Sequence, residues 1–255
     1  MNTACVRELT RGSNDWVDAL AWSSRHFDRS LLFLGDASDP LASHARFWSS
    51  VVRGTVRGVA VRFEGLPVPV VSAAGDDSAL PALVAAASIS GAVLVTHETQ
   101  WLPSELAARP ATRHRWLDAA CLRVPPREEV CRIEAASELA EFQAAHGAQR
   151  WHPEMVRFGH CFGIREPSGA LVSVGGISFS VPGQSYAQLG GLFTAKHARG
   201  RGYASAVIDA IRTSLADAHV VRCGLFADSL DTAASSFYAT RGFESRGAFR
   251  FAPIS

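Results

Sequence analysis

The chain reads as an α/β protein with two domains in tandem, on three observations. Segments with strand-like runs and segments with helical spacing follow one another along its whole length. A paired-proline stretch, Pro125-Pro-Arg-Glu-Glu129, breaks both patterns near the middle of the 255 residues, because adjacent prolines stop helices and sheet ladders alike. The order strand, turn, helix, strand also occurs once in each half. The expected domains are 1–124 and 128–255.

In the first half, Trp16, Ala19, Leu20, Ser23 and Phe27 recur at helical spacing, which predicts one or two helices over Asp15 to Leu34. Strands are expected at Arg46 to Val52 and Thr55 to Phe63, joined by a hairpin turn at Arg53-Gly54. After the turn Gly65-Leu-Pro67, Val68 to Val71 is a short apolar strand, and Ala74-Gly-Asp-Asp-Ser78 leads into an alanine-rich helix, Ala79 to Ser88. Asp77 or Ser78 can cap that helix, and Pro81 is tolerated in its first turn. Gly91 ends it; a strand over Ala92 to Thr96, a short helix over Trp101 to Ala108 and a strand over His114 to Val124 complete the half.

The second half opens with a strand at Val130 to Ile133 and a helix at Ala135 to Ala145, then a polar and aromatic connection, Gln149 to Met155. Strands at Gly159 to Arg165 and Leu171 to Phe179 flank the turn Pro167-Ser-Gly169, and Pro182-Gly183 turns the chain into a central strand, Tyr186 to Thr194. The next helix opens near Gly202 and carries an apolar stripe of Ala206, Val207, Ala210, Ile211 and Leu215. A strand at Val220 to Leu225, a helix capped by Asp231 and ended near Gly242, and a strand at Ser245 to Ala252 follow.

The turn before that helix carries the most chemistry. Gly200 and Gly202 let backbone approach a bulky anion, and a helix N-terminus directs unpaired N–H groups at it. Lys196, Arg199 and Arg201 add positive charge, and His197 joins them when protonated. The plain alternative is a surface turn. A nucleotide P-loop is excluded because Gly-x4-Gly-Lys-Ser/Thr is absent, and a dinucleotide fingerprint is disfavoured because Ser205 stands where it needs glycine.

At Arg199, Gly202 and Ala204 the chain resembles the GNAT superfamily of acyl-CoA-dependent N-acyltransferases, whose pyrophosphate loop reads Gln/Arg-x-x-Gly-x-Gly/Ala. Asp231-Thr-Ala-Ala-Ser-Ser-Phe-Tyr238, followed by Gly242-Phe243, resembles the family's Asn-x-x-Ala-x-x-x-Tyr…Gly-Phe block. The resemblance covers roughly Val130 to Phe251. It implies a mixed α/β sheet of the GNAT type, with acetyl-CoA as acyl donor and an amine as acceptor. It places Thr194, Arg199, Gly200, Arg201, Gly202, Tyr203 and Ala204 around the cofactor's phosphates. The N–H groups of Leu192 or Phe193 would polarise the thioester carbonyl, with Gly190-Gly191 forming a bulge. Ala234 would leave room for the pantetheine arm, and Tyr238 would protonate the departing thiolate. For Tyr238 and Ala234 the plain alternative is core packing. Asp231 departs from the family's asparagine: it keeps the acceptor oxygen, loses an amide donor and adds a negative charge. The glutamate that many members carry on the central strand would fall near Gln188, which cannot take a proton; His152, Glu154, His160 or a water path are the substitutes.

The same half-fold is expected, in degenerate form, over residues 1–124. Its turn, Ala73-Ala-Gly-Asp-Asp77, has two carboxylates and no arginine, so it should not bind the cofactor. Acetyl transfer to a primary amine of a small molecule, enclosed between two domains, is the expected activity. A protein or peptide N-acetyltransferase, or a non-catalytic acyl-CoA sensor, are the alternatives.

Composition narrows the rest. The formal net charge is +1, so no broad field recruits nucleic acid. No apolar run reaches membrane-spanning length and the first residues lack a signal-peptide core. The five cysteines are odd in number and widely spaced, without a Cys-x-x-Cys pair, which suits reduced thiols in a cytoplasm and no metal; a monomer or homodimer is expected.

Overall fold

The computed structural model describes residues 5–100, 102–125, 127, 129–146 and 152–254. Trp101, Pro126, Glu128 and residues 149–151, named above, lie outside the described residues. In chain order the elements are β1 (Cys5–Glu8), α1 (Asn14–Arg25), α2 (Phe27–Asp36), β2 (Ala45–Val52), β3 (Thr55–Phe63), β4 (Val70–Gly75), α3 (Leu80–Ala86), β5 (Val93–His97), α4 (Ser104–Ala107) and β6 (Thr112–Ala120). They continue with β7 (Val130–Arg132), α5 (Ala136–His146), β8 (Phe162–Arg165), β9 (Leu171–Val181), β10 (Tyr186–Thr194), α6 (Tyr203–Asp217), β11 (Arg222–Asp228), α7 (Thr232–Ala239) and β12 (Glu244–Pro253).

The chain forms two compact units. Unit 1 holds residues 1–117, 226–241 and 245–255; unit 2 holds 118–225 and 242–244. In unit 1 the strand order begins β1-β2-β3-β4-β5-β12, and β12 pairs antiparallel with β5, Phe249 opposite His97 and Pro253 opposite Val93. In unit 2 the order is β11-β10-β9-β8-β7.

Local chemistry sets each element of unit 1. Ser13 caps α1 by accepting the Trp16 N–H at 3.2 Å. The predicted hairpin forms at Arg53-Gly54, where both residues adopt positive φ (50° and 75°) and Val52 pairs with Thr55. Alternation along the strands then feeds two cores. Phe47, Val59, Val61 and Ala74 pack with Trp16, Ala19 and Phe33 from α1 and α2. Trp48, Ala60, Val71 and Ala73 pack with Leu80, Leu83 and Val84 from α3. The predicted strand at Val68 to Val71 runs further, to Gly75: its small residues have weak strand preference, but β3 pairs with them to the end.

In unit 2, α6 buries the expected stripe of Ala206, Val207, Ala210, Ile211 and Leu215, together with Ile208 and Arg212. The Arg212 side chain donates through Nε (3.1 Å) and Nη2 (2.7 Å) to the Ala120 carbonyl, so a buried cation ties the helix to the end of β6. Arg222 on β11 pairs with the buried carboxylate of Asp118 at 2.6 Å. The predicted strand at His114 to Val124 closes at Ala120, where those backbone groups turn to Arg212 and Thr213 instead.

The two halves repeat one pattern. β2, β3 and β4 form an antiparallel ladder, then α3 leads to β5, parallel to β4. β8, β9 and β10 form an antiparallel ladder, then α6 leads to β11, parallel to β10.

Candidate active site

The site begins with how β10 loses one neighbour. It pairs with β9 over its whole length, but with β11 only from Tyr186 to Gln188, opposite Arg222 to Gly224. Beyond Gln188 the parallel pairing stops while both strands continue, which leaves the Leu189–Thr194 edge without that ladder. The register with β9 steps from Gly190/Gly176 to Phe193/Val174, so Gly191 and Leu192 together face one residue. Gly191 has φ 62°, the left-handed conformation that such a bulge requires. The bulge expected at Gly190-Gly191 is therefore present one residue further on, at Gly191 and Leu192, while Gly190 keeps its partner Gly176. Leu192, Phe193 and Thr194 are half-buried. Phe193 lies edge-on to Phe142 at 5.8 Å, and the Thr194 hydroxyl meets Ser173 Oγ at 2.8 Å.

After Thr194 a single tight turn (Lys196–Ala198) leads to Arg199, whose Nε donates to the Thr194 carbonyl at 3.1 Å. Gly200 and Gly202 both take positive φ (77° and 78°), and Gly202 is the residue that opens α6. No side chain caps this helix. Its first N–H groups and the positive end of its dipole therefore face an exposed turn. Lys196, Arg199 and Arg201 are exposed and have no carboxylate partner among the described residues. His197 differs from them: its Nε2 sits 2.9 Å from the Glu166 carboxylate.

Arg127 is missed by sequence reading. Its Nη1 lies 3.2 Å from the position that a Cβ on Gly202 would occupy, which brings a fourth guanidinium or ammonium to the turn, although Glu129 holds it at 2.8 Å. Nothing in local sequence marks it, because its approach to Gly202 is set by the fold.

The structure gathers Leu192 to Ala204 in unit 2 and places Asp231, Ala234 and Tyr238 in unit 1. Asp231 caps α7, accepting the Ala234 N–H at 2.8 Å. Thr240 ends the helix, so Gly242, with φ 77°, lies one residue further out than a C′ glycine. Tyr238 is half-buried, with Phe237 edge-on at 5.2 Å. Burial raises its phenol above the usual range, the Asp231 carboxylate adds to that, and Arg241 offsets part of it.

Gln188 is buried at the point where β10 and β11 part. Its Oε1 accepts from the Tyr186 hydroxyl, while its Nε2 has no hydrogen-bond partner among the described residues. Such an orphan donor costs free energy unless something else accepts from it. The substitute bases have other bonds. His152 Nδ1 accepts the Glu154 N–H at 3.3 Å, Glu154 pairs with Arg157 at 3.8 Å, and His160 Nδ1 meets Ser214 Oγ at 2.9 Å. Burial first, and Arg132 second, lower the His160 pKa and so favour its neutral form.

The matching turn of unit 1 is closed. Gln100 takes both the Gly75 N–H (3.2 Å) and its carbonyl (2.8 Å). Asp76 Oδ1 accepts from the N–H groups of Ser78 (3.1 Å) and Ala79 (3.0 Å), so a carboxylate already fills the anion position at α3.

Residues 158–245 match the family model described as an acetyltransferase (GNAT) domain. No protein of curated function matches the sequence significantly. Among solved structures, a GCN5-related N-acetyltransferase from Sphaerobacter thermophilus aligns with a TM-score of 0.61 at 14% identity, over 99% of this chain and 97% of that one. An acetyltransferase of the GNAT family from Colwellia psychrerythraea gives 0.58 at 17%, over 97% and 99%. A tandem GNAT protein from the clavulanic acid biosynthesis pathway gives 0.54 at 17%, over 97% and 98%. At these identities the likeness is one of fold: a mixed α/β sheet of the GNAT type, in tandem form.

Proposed function

We propose, on the premise that residues 158–245 form a GNAT acetyltransferase domain, that this protein transfers an acetyl group from acetyl-CoA to a primary amine of a small molecule. The observation that carries the reading is the uncapped start of α6 behind Gly200 and Gly202, flanked by Lys196, Arg199 and Arg201, which have no carboxylate partner among the described residues. A turn of this kind suits a pyrophosphate. The open Leu189–Thr194 edge and the orphan Gln188 amide suit an arm that carries amide groups.

Acetyl-CoA supplies an electrophilic thioester. Arg199, Arg201 and the α6 N–H groups bind the phosphates, with Gly200, Tyr203 and Ala204 shaping the turn. The N–H groups of Leu192 or Phe193 polarise the carbonyl oxygen. Tyr238, kept protonated by its raised pKa, donates its proton to the leaving sulfur. Asp231 and Ala234 set the position of α7 and leave space beside it. Gln188 is not a base, so the amine attacks uncharged and passes its proton to water. Attack is direct, in a ternary complex. We keep 1–124 and 128–255 as the domains of a duplicated half-fold, the first without a cofactor, and a reduced, cytoplasmic setting for the five free cysteines.

One observation favours a second reading. Gln188 in place of a titratable group, with Asp231 adding negative charge, suits an acyl-CoA sensor without turnover. The test is release of free CoA from acetyl-CoA across a panel of amino acids, polyamines, aminosugars and lysine peptides. Release with a small amine supports the proposal; release only with peptides selects the protein acetyltransferase; tight CoA binding without release selects the sensor.

A further inference from the structure

Unit 1 holds a cleft of about 580 Å³ that acyl transfer does not use. We propose that it binds a small organic anion with a terminal oxyanion, carboxylate or phosphoryl. Its size is in the range that takes a whole small molecule. Four segments form its walls: the second half of α1, the first turn of α2, the start of β3 and the end of β4 at Gly75 and Asp76.

Helical spacing aims one stripe at the cleft. Asp18, Trp22, Arg25 and Arg29 follow at successive turns, continued across the α1–α2 break at His26. Arg25 and Arg29 are exposed and have no carboxylate partner among the described residues. Across from them, Arg57 is held by Asp76 at 2.6 Å, a contact that fixes its guanidinium and leaves its other N–H groups for a ligand. The floor is firm: Trp22 is buried and stacks on His26 at 4.1 Å and 20°, while His26 Nδ1 binds the Trp22 carbonyl at 2.8 Å. Three guanidiniums thus face two carboxylates, and both Asp76 oxygens are already engaged by Arg57, Ser78 and Ala79. Planar forks of this kind match carboxylate and phosphoryl groups, where lysines would offer point charges only. The closed turn at Gly75 and the Asp76 carboxylate at α3 exclude the diphosphate mode of unit 2, so the anion is gripped by side chains. This site is independent of the acyl-transfer reading.

Isothermal titration of the full chain with inorganic phosphate and, separately, with citrate tests it; the two arms tell phosphoryl from carboxylate preference. Both titrations use the full chain carrying Arg199→Ser/Arg201→Ser, which removes the cations of the other turn. Expected there is saturable binding of at least one probe, one per chain, weakened about tenfold or more when Arg25→Ser/Arg29→Ser is added. Arg29→Gln alone gives a smaller loss and serves if the double variant melts early. Absence of saturation with both probes, or an affinity that survives loss of Arg25 and Arg29, overturns the proposal.

Discussion

Tyr238 acquires its chemistry from a short stretch of helix. About two turns of α7 separate it from the Asp231 cap, and burial first, then the Asp231 charge, raise its phenol above the usual range. Tyr238→Phe should cut turnover by about 10²-fold, the scale of general-acid catalysis, with CoA affinity changed less than about threefold. Steady-state kinetics beside a CoA titration separate the two, and unchanged turnover with chemistry rate-limiting would remove the tyrosine from the mechanism. Asp36, at the end of α2, is a second case. Burial pushes its carboxyl up to about 8. The unfolded chain ionises it near pH 4, so between about pH 4 and 8 the native state holds the extra proton and stability falls as pH rises. Asp36→Asn should flatten that decline and stabilise the fold at pH 8 by roughly 2–5 kcal/mol; urea unfolding at pH 5 and pH 8 measures it. A parallel decline in both proteins would put the titration elsewhere. Single residues were legible where their role is local: Asp231 is a cap because a cap needs only its own helix. Arg127 and Gln100 were not, because whole helices and strands separate them in sequence from Gly202 and Gly75.

Among elements, strong period and turn chemistry made the sequence transparent. β10 falls at Tyr186–Thr194 as expected, and the α6 stripe is buried as expected, because alternation and 3.6-residue spacing both survive packing. Boundaries moved where pairing overrode propensity, as at β4. The end of the β10–β11 ladder at Gln188 was not legible, since nothing in composition dictates where two parallel strands part. Gly58 marks how tightly β3 meets β4: a Cβ there would stand 2.7 Å from the Ala74 carbonyl oxygen and 2.8 Å from the Gly75 Cα. Gly58→Ala should therefore destabilise the chain by about 1–3 kcal/mol, mostly by displacing backbone rather than a flexible side chain. A denaturant midpoint equal to the parent's would show that β4 yields freely.

Across the whole molecule, one repeated half-fold has two fates. The sequence predicted the repeated element order and the acidic turn of the first half, and the structure supplies the reason that turn is shut: Gln100 and Asp76 hold its donors. It did not show that β12, the last strand of the chain, pairs with β5 in unit 1, because strand partners so distant in sequence leave no local signal. Nor did it show the arginine-lined cleft, whose walls come from four separate segments. The two turns differ in ways that a single binding curve can read. Isothermal titration of the full chain with coenzyme A should give one site per chain, with affinity lowered about tenfold or more by Arg199→Ser/Arg201→Ser and unaltered by Asp76→Asn. Two sites, no site, or an affinity indifferent to Arg199 and Arg201 would contradict the account.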